Sequence, residues 1–217
     1  MIVKICGIRS LGDALAAVDA GADMLGFNFY AASPRYLETI ACERLVQSLR
    51  VAIPRPPLLI GVFVNASISE VVAILDRCTL DMAQLHGDEP PAALAALGSR
   101  AFKAVRPTTP EDAAQQVHAY RSMASSPRAP EILMDASAPG LYGGSGLTAD
   151  WSTASAQAKK ARLLLAGGLN PANVADAIAA VRPWGVDVAS GVEVEPGVKD
   201  AAKMKTFVEQ ARQAAAG

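Results

Sequence analysis

Histidine is nearly missing from this sequence: His86 and His118 are the only two among 217 residues. Neither has a second histidine or a cysteine three or four positions away, so a structural zinc site is not expected, and a Ser-His-Asp triad has little to draw on. Cysteine is sparse as well. Cys6, Cys42 and Cys78 lie far apart with no C-x-x-C, an odd count that argues for reduced thiols rather than a disulfide framework. A basic excess is absent: 20 Lys and Arg face 21 Asp and Glu, which speaks against nucleic acid as a partner. No apolar run approaches the ~20 residues that span a bilayer, so no membrane association is expected. The first residues, Met1 to Gly7, show no basic region followed by an apolar stretch, and a cytoplasmic protein is the expectation. Chemistry must then come from carboxylates, a thiol, arginine or backbone amides.

What is present is a regular alternation. Short apolar runs, rich in β-branched residues, occur at Ile2–Cys6, Met24–Phe29, Leu58–Val64, Met82–Leu85, Phe102–Val105, Ile132–Met134, Leu163–Ala166 and Val186–Ala189. They are nearly continuous rather than alternating, the pattern of parallel strands buried on both faces. Between them lie Ala-rich amphipathic segments: Leu11–Ala20, Glu38–Leu49, Ser67–Leu75, Pro91–Ala96, Pro110–Tyr120, Asp150–Lys160, Pro171–Ala180 and Asp200–Ala215. Ser10 and Ser67 read as helix caps, and Pro171 after Asn170 as a first helical turn. No linker divides the chain. Eight strand–helix units predict an α/β protein, a single-domain parallel (β/α)8 barrel over residues 1–217 with outer helices, in preference to an open doubly wound sheet.

In such a barrel, function gathers where the strands end at their C-terminal side. The first strand ends at Cys6, which can serve as a base or nucleophile or simply as a small buried hydrophobe. The second runs into a segment holding Arg35, whose planar fork suits a carboxylate or phosphate but which can equally be a solvated loop residue. The fourth ends near His86 and the fifth at Arg106, each open to a structural reading. The sixth ends at Asp135; burial after three apolar residues would favour its neutral form and suit a general acid, and an N-cap is the alternative. A Gly-rich loop follows at Tyr142–Gly146. The seventh strand ends at Gly167-Gly168 and the eighth at Ser190-Gly191. Two Gly-containing turns on the last two units are what a backbone-amide phosphate site needs, so a phosphorylated small molecule is the expected ligand.

The chain resembles the phosphoribosylanthranilate isomerase family of tryptophan biosynthesis. The likeness rests on Lys4-Ile-Cys-Gly-Ile8, Gly26-Phe-Asn-Phe with Ser33-Pro-Arg-Tyr36, Gly61-Val-Phe-Val-Asn65, Gln84-Leu-His-Gly87, Gly143-Gly-Ser-Gly146 with Asp150-Trp151, Leu165-Ala-Gly-Gly-Leu-Asn-Pro171, and Val186-Asp-Val-Ala-Ser-Gly-Val-Glu193 with Lys199-Asp200. These span essentially the whole chain. The resemblance implies an Amadori rearrangement of N-(5-phosphoribosyl)anthranilate, with no cofactor and no metal. By resemblance, Cys6 is the general base and Asp135 the general acid. Arg35 contacts the anthranilate carboxylate, and Gly167, Gly168, Ser190 and Gly191 clamp the phosphate. A monomer or homodimer is expected. Two other readings are weighed. An indole-glycerol-phosphate synthase type enzyme would need a catalytic lysine in the barrel, for which Lys4 and Lys103 are the inward candidates. A non-catalytic phosphate-ligand module would need neither an acid nor a base.

Overall fold

The computed structural model describes residues 1–121, 128–135 and 151–217. Eight parallel strands pair in sequence order and close into a barrel: β1 (Ile2–Cys6), β2 (Met24–Asn28), β3 (Leu58–Phe63), β4 (Met82–Leu85), β5 (Ala101–Val105), β6 (Ile132–Met134), β7 (Leu163–Leu165) and β8 (Gly185–Val188). The closing seam joins β8 to β1 in the register Ile2↔Gly185, Val3↔Val186, Lys4↔Asp187 and Ile5↔Val188. Helices α1 (Leu11–Asp19), α2 (Thr39–Ala52), α3 (Ile68–Arg77), α4 (Pro91–Leu97), α5 (Pro110–Tyr120), α6 (Trp151–Ala158), α7 (Val174–Val181) and α8 (Ala201–Ala214) follow the strands in turn. Among the described residues no helix is long and apolar enough to cross a membrane.

Two apolar layers explain the unbroken hydrophobic strands. Side chains alternate across a strand, so a strand covered on both sides needs apolar residues at every position. Met24, Ile60, Met82, Phe102, Ala104, Leu133, Leu164 and Ala166 form one cluster that fills the barrel. Val3, Ile5, Leu25, Phe27, Leu59, Phe63, Leu85, Val105, Ile132, Leu165 and Val188 face outward and pack with the helices in a second cluster. Ser10 and Ser67 cap α1 and α3 as expected, accepting from the amides of Asp13 and Glu70 at 3.0 and 3.2 Å.

Several expectations are corrected. Lys103 is not an inward residue: Phe102 and Ala104 take the interior, which turns Lys103 to the outer side, over the Tyr120 ring of α5 at 5.6 Å. The seventh helix starts at Val174, not Pro171, because Asn170 first makes a local turn, its side chain accepting from the Ala172 amide at 2.8 Å. After β8 the chain forms a short antiparallel pair, β9 (Glu193–Glu195) with β10 (Val198–Lys199), that the sequence reading did not include. The Gly-rich loop Tyr142–Gly146 and Asp150 lie outside the described residues.

Phe102 is wholly buried in the barrel interior. Phe102→Ala is expected to lose about 3–5 kcal/mol of stability, read as a lower urea midpoint. A loss below about 1 kcal/mol would show that the interior is loosely packed there.

Candidate active site

Barrel closure gathers the candidate residues on one arc of the C-terminal rim. Strand order runs β6-β7-β8-β1-β2 without interruption. Along it come Asp135 after β6, Gly167 and Gly168 after β7, Ser190 and Gly191 after β8, Cys6 at the end of β1, and Arg35 in the segment after β2. The two turns that can cradle a phosphate therefore stand between the carboxyl group and the thiol.

Cys6 is 8% exposed at the mouth. Gly26 on the neighbouring strand leaves it room, since a Cβ there would come within 2.8 Å of the Cys6 sulfur. Below it lies Lys4, fully buried, whose Nζ donates to Asp187 at 2.9 Å. Burial pushes the Cys6 thiol up; Lys4 pulls it down, Asp187 pushes it up and Lys199 pulls it down, and the balance stays above the ordinary thiol value. Burial opposes the charge on Lys4, but Asp187 and Cys6 outweigh it and hold the lysine above its ordinary value. Lys4 thus stays an ammonium.

Arg35 is tied down at the edge of the mouth. Its Nε and Nη2 donate to the two oxygens of Glu193, each at 2.7 Å, a side-on fork between the segment after β2 and the start of β9. Lys199 donates to the same carboxylate at 2.7 Å and to the Ala189 carbonyl at 2.9 Å. Burial works against the charge of Glu193, yet Arg35 and Lys199 prevail and hold it below the usual carboxylate range. Two cations on one carboxylate leave an excess of one positive charge at this side of the rim. Nη1 takes no part in this contact with Glu193.

Asp135 is 7% exposed, and its backbone amide donates to the Val105 carbonyl at 3.0 Å. His86 Nε2 lies 3.2 Å from an Asp135 oxygen, near enough for an ion pair but off the line of a hydrogen bond. The other ring nitrogen of His86 meets the Gln84 amide nitrogen at 2.8 Å. The fold sets His86 against the Asp135 carboxyl. The loop carrying His86 is built around buried Glu89, which accepts from the amides of Asn65 at 2.8 Å and Gly87 at 3.0 Å and pairs with Lys103 at 3.0 Å. Lys103 is structural here, and Arg106 braces the same loop through Asp88 at 3.2 Å.

The two glycine turns have the backbone that a phosphate site would need. Gly167 and Gly168 sit at φ 93° and 68°, a region that side chains disfavour. The Gly168 carbonyl accepts from the Asn173 side chain at 3.0 Å. Gly191 presses on the preceding turn, where a Cβ would run into the Leu169 carbonyl, so the two turns are locked to each other. Asp187, Glu193 and Lys199 were not singled out as site residues. The signal available was their place in the motif after the eighth strand, but their partners are remote in sequence.

A family model described as N-(5'-phosphoribosyl)anthranilate isomerase matches residues 3–210. A relative from Myxococcus xanthus named N-(5'-phosphoribosyl)anthranilate isomerase is 45% identical over 213 residues, 97% of this chain and 95% of the relative. One of the same name from Roseiflexus castenholzii is 46% identical over 220 residues, covering 99% of this chain and all of the relative, 100%. The crystal structure of phosphoribosyl anthranilate isomerase from Thermotoga maritima superposes with a TM-score of 0.85 at 38% identity, covering 98% of this chain and 100% of that one. A structure of such an isomerase with reduced 1-(o-carboxyphenylamino)-1-deoxyribulose 5-phosphate gives a TM-score of 0.82 at 37% identity, with 98% and 100% coverage.

The lowered Glu193 carboxyl has a stability consequence. Its contribution is present above the ordinary carboxylate range and is lost as pH falls through the lowered folded value. Glu193→Gln, which leaves Arg35 and Lys199 without their shared anion, is expected to cost about 3 kcal/mol or more near neutrality. The gap to the unsubstituted protein should shrink on acidification. Urea midpoints across a pH series check both; a gap independent of pH would refute the assignment.

Proposed function

The chain belongs to the N-(5'-phosphoribosyl)anthranilate isomerase family, and from that premise we propose that Asp135 is the general acid and Cys6 the general base of its reaction. The activity is the Amadori rearrangement of N-(5-phosphoribosyl)anthranilate to 1-(2-carboxyphenylamino)-1-deoxyribulose 5-phosphate, an isomerisation in tryptophan biosynthesis. The observation that carries the residue roles is the unbroken arc from Asp135 through the two glycine turns to Cys6 and Arg35.

The amides of Gly167, Gly168, Ser190 and Gly191 hold the phosphate, and Arg35 meets the anthranilate carboxylate with the edge that Glu193 leaves open. The substrate is then stretched across the mouth with its ribose between acid and base. Asp135 gives a proton to the ring oxygen as the C1–O bond breaks, while the anthranilate nitrogen lone pair forms the C=N bond. The Cys6 thiolate takes the proton from C2. The C–H electrons form C1=C2 and those of C=N return to nitrogen, giving an enolamine that tautomerises to the ketone. One proton has left Asp135 and one has reached Cys6, and exchange with water resets both. No electron leaves the substrate and no charge needs a metal, so acid–base chemistry suffices without a cofactor. We place the enzyme in the cytoplasm as a monomer or homodimer; a related protein from Thermotoga maritima is described both as dimeric and as monomers generated from that dimer.

Cys6→Ser and Asp135→Asn should each lower kcat by about a hundredfold or more with little change in KM, followed as the loss of anthranilate-type fluorescence. Because the Cys6 thiol stands above its ordinary value, kcat/KM should climb with pH through and beyond the usual thiol range. Wild-type turnover by Cys6→Ser would end the assignment. Arg35→Ala should cost at least about tenfold in kcat/KM, from the ~1.5–3 kcal/mol of a charged hydrogen bond. The loss should be far smaller for a substrate analogue without the carboxylate, and equal losses for both would limit Arg35 to supporting its loop.

A further inference from the structure

A lysine at the centre of a barrel is a costly residue to bury. Lys4 is 0% exposed and its one recorded side-chain hydrogen bond among the described residues goes to Asp187 at 2.9 Å. Stability does not account for it, because a buried ion pair replaced by apolar side chains of similar volume is often no less stable. Its position suggests another use. Lys4 lies two residues before Cys6 on β1, so both project into the barrel, the ammonium one layer beneath the sulfur. The seam register sets Asp187 of β8 directly beside Lys4. Asp187 occupies one of the three N–H donors of the ammonium.

We infer that Lys4 is a positioning residue for the rearrangement: its buried ammonium, pinned by Asp187, is the fixed positive charge that keeps the Cys6 thiolate within reach. The inference rests on the reading of Cys6 as the base. A thiol is useful as a base only as the thiolate, and burial alone makes that form expensive. Four charged groups face the thiol: Lys4 from β1, Asp187 from β8, Lys199 from β10 and Arg35 from the segment after β2. Lys199 and Arg35 share the single carboxylate of Glu193. Lys4 is the strongest of these charges acting on Cys6, and it lowers the thiol, against the upward push of burial and of Asp187. The ammonium itself neither gives nor takes a proton in the cycle.

The test follows Cys6 ionisation directly. Iodoacetamide alkylation of Cys6, measured by mass on the Cys6 peptide across a pH series, reports the thiolate whether or not substrate is present. Lys4→Met should move the alkylation midpoint up by about one pH unit or more, the effect of removing an opposite charge within contact range. The pH–kcat limb should move with it, kcat near neutrality should fall about tenfold, and activity should recover toward the wild type at alkaline pH. KM should change little. Lys4→Arg, which keeps the charge, should leave the midpoint near the wild-type value. If Lys4→Met fails to fold with Asp187 unpaired, Lys4→Gln with Asp187→Asn keeps size and polarity, and its midpoint should still rise because the pull of Lys4 exceeds the push of Asp187. A midpoint unmoved in the folded variants would overturn the inference, even with Cys6 confirmed as the base. Wild-type turnover by Cys6→Ser would instead remove the base assignment.

Discussion

Closure of the sheet at the β8–β1 seam is the constraint on which the rest of this structure depends. Until β8 pairs with β1, Lys4 and Asp187 are 183 residues apart, and neither charge has a partner. Once the seam forms, they meet at 2.9 Å inside the barrel, and β7, β8, β1 and β2 become neighbours. A register slip of one residue would turn Lys4 and Cys6 outward into the helix layer, so the seam sets the chemistry as well as the architecture.

A second tie secures the rim. Glu193 joins Arg35, 158 residues away, to Lys199 and thereby fastens the segment after β2 to the β9–β10 hairpin. Glu89 plays the same part across the mouth, binding the loops after β3 and β4 to Lys103. In both places a buried carboxylate organises backbone or cationic donors from several strands. The strands thus supply rigid ends, and the buried carboxylates convert flexible loops into fixed ones, the condition for holding a substrate in one pose.

The electrostatic arrangement suits a substrate with two anionic ends. Glycine turns offer uncharged backbone donors on one side, and the surplus positive charge around Arg35 and Lys199 lies on the other. The Asp135 carboxyl and the Cys6 thiol, on either side of the glycine turns, sit in unlike surroundings. Asp135 has His86 beside it, whereas Cys6 rests on the buried Lys4–Asp187 pair and near Lys199.

Much of this was legible in the linear sequence, and the physical reason is locality. Continuous apolar runs spaced by Ala-rich amphipathic segments announce parallel strands covered on both faces. Ser10 and Ser67 announce helix starts because a cap acts within three residues. Strand ends at Cys6 and Asp135 and the glycine turns at Gly167-Gly168 and Ser190-Gly191 could be marked for the same reason, and the motifs around them identified the family. Tertiary structure alone decided what required pairing across the barrel. The face on which Lys103 lies is set by the packing of its neighbours Phe102 and Ala104 into the interior, which a continuous apolar run does not reveal. Arg35 could be read as a free fork, because nothing near it in sequence marks Glu193 as its partner. Lys4 could be read only as an inward lysine, since its counter-charge arrives on the last strand. Charge pairs between distant residues leave no local pattern; they exist only when the chain has closed.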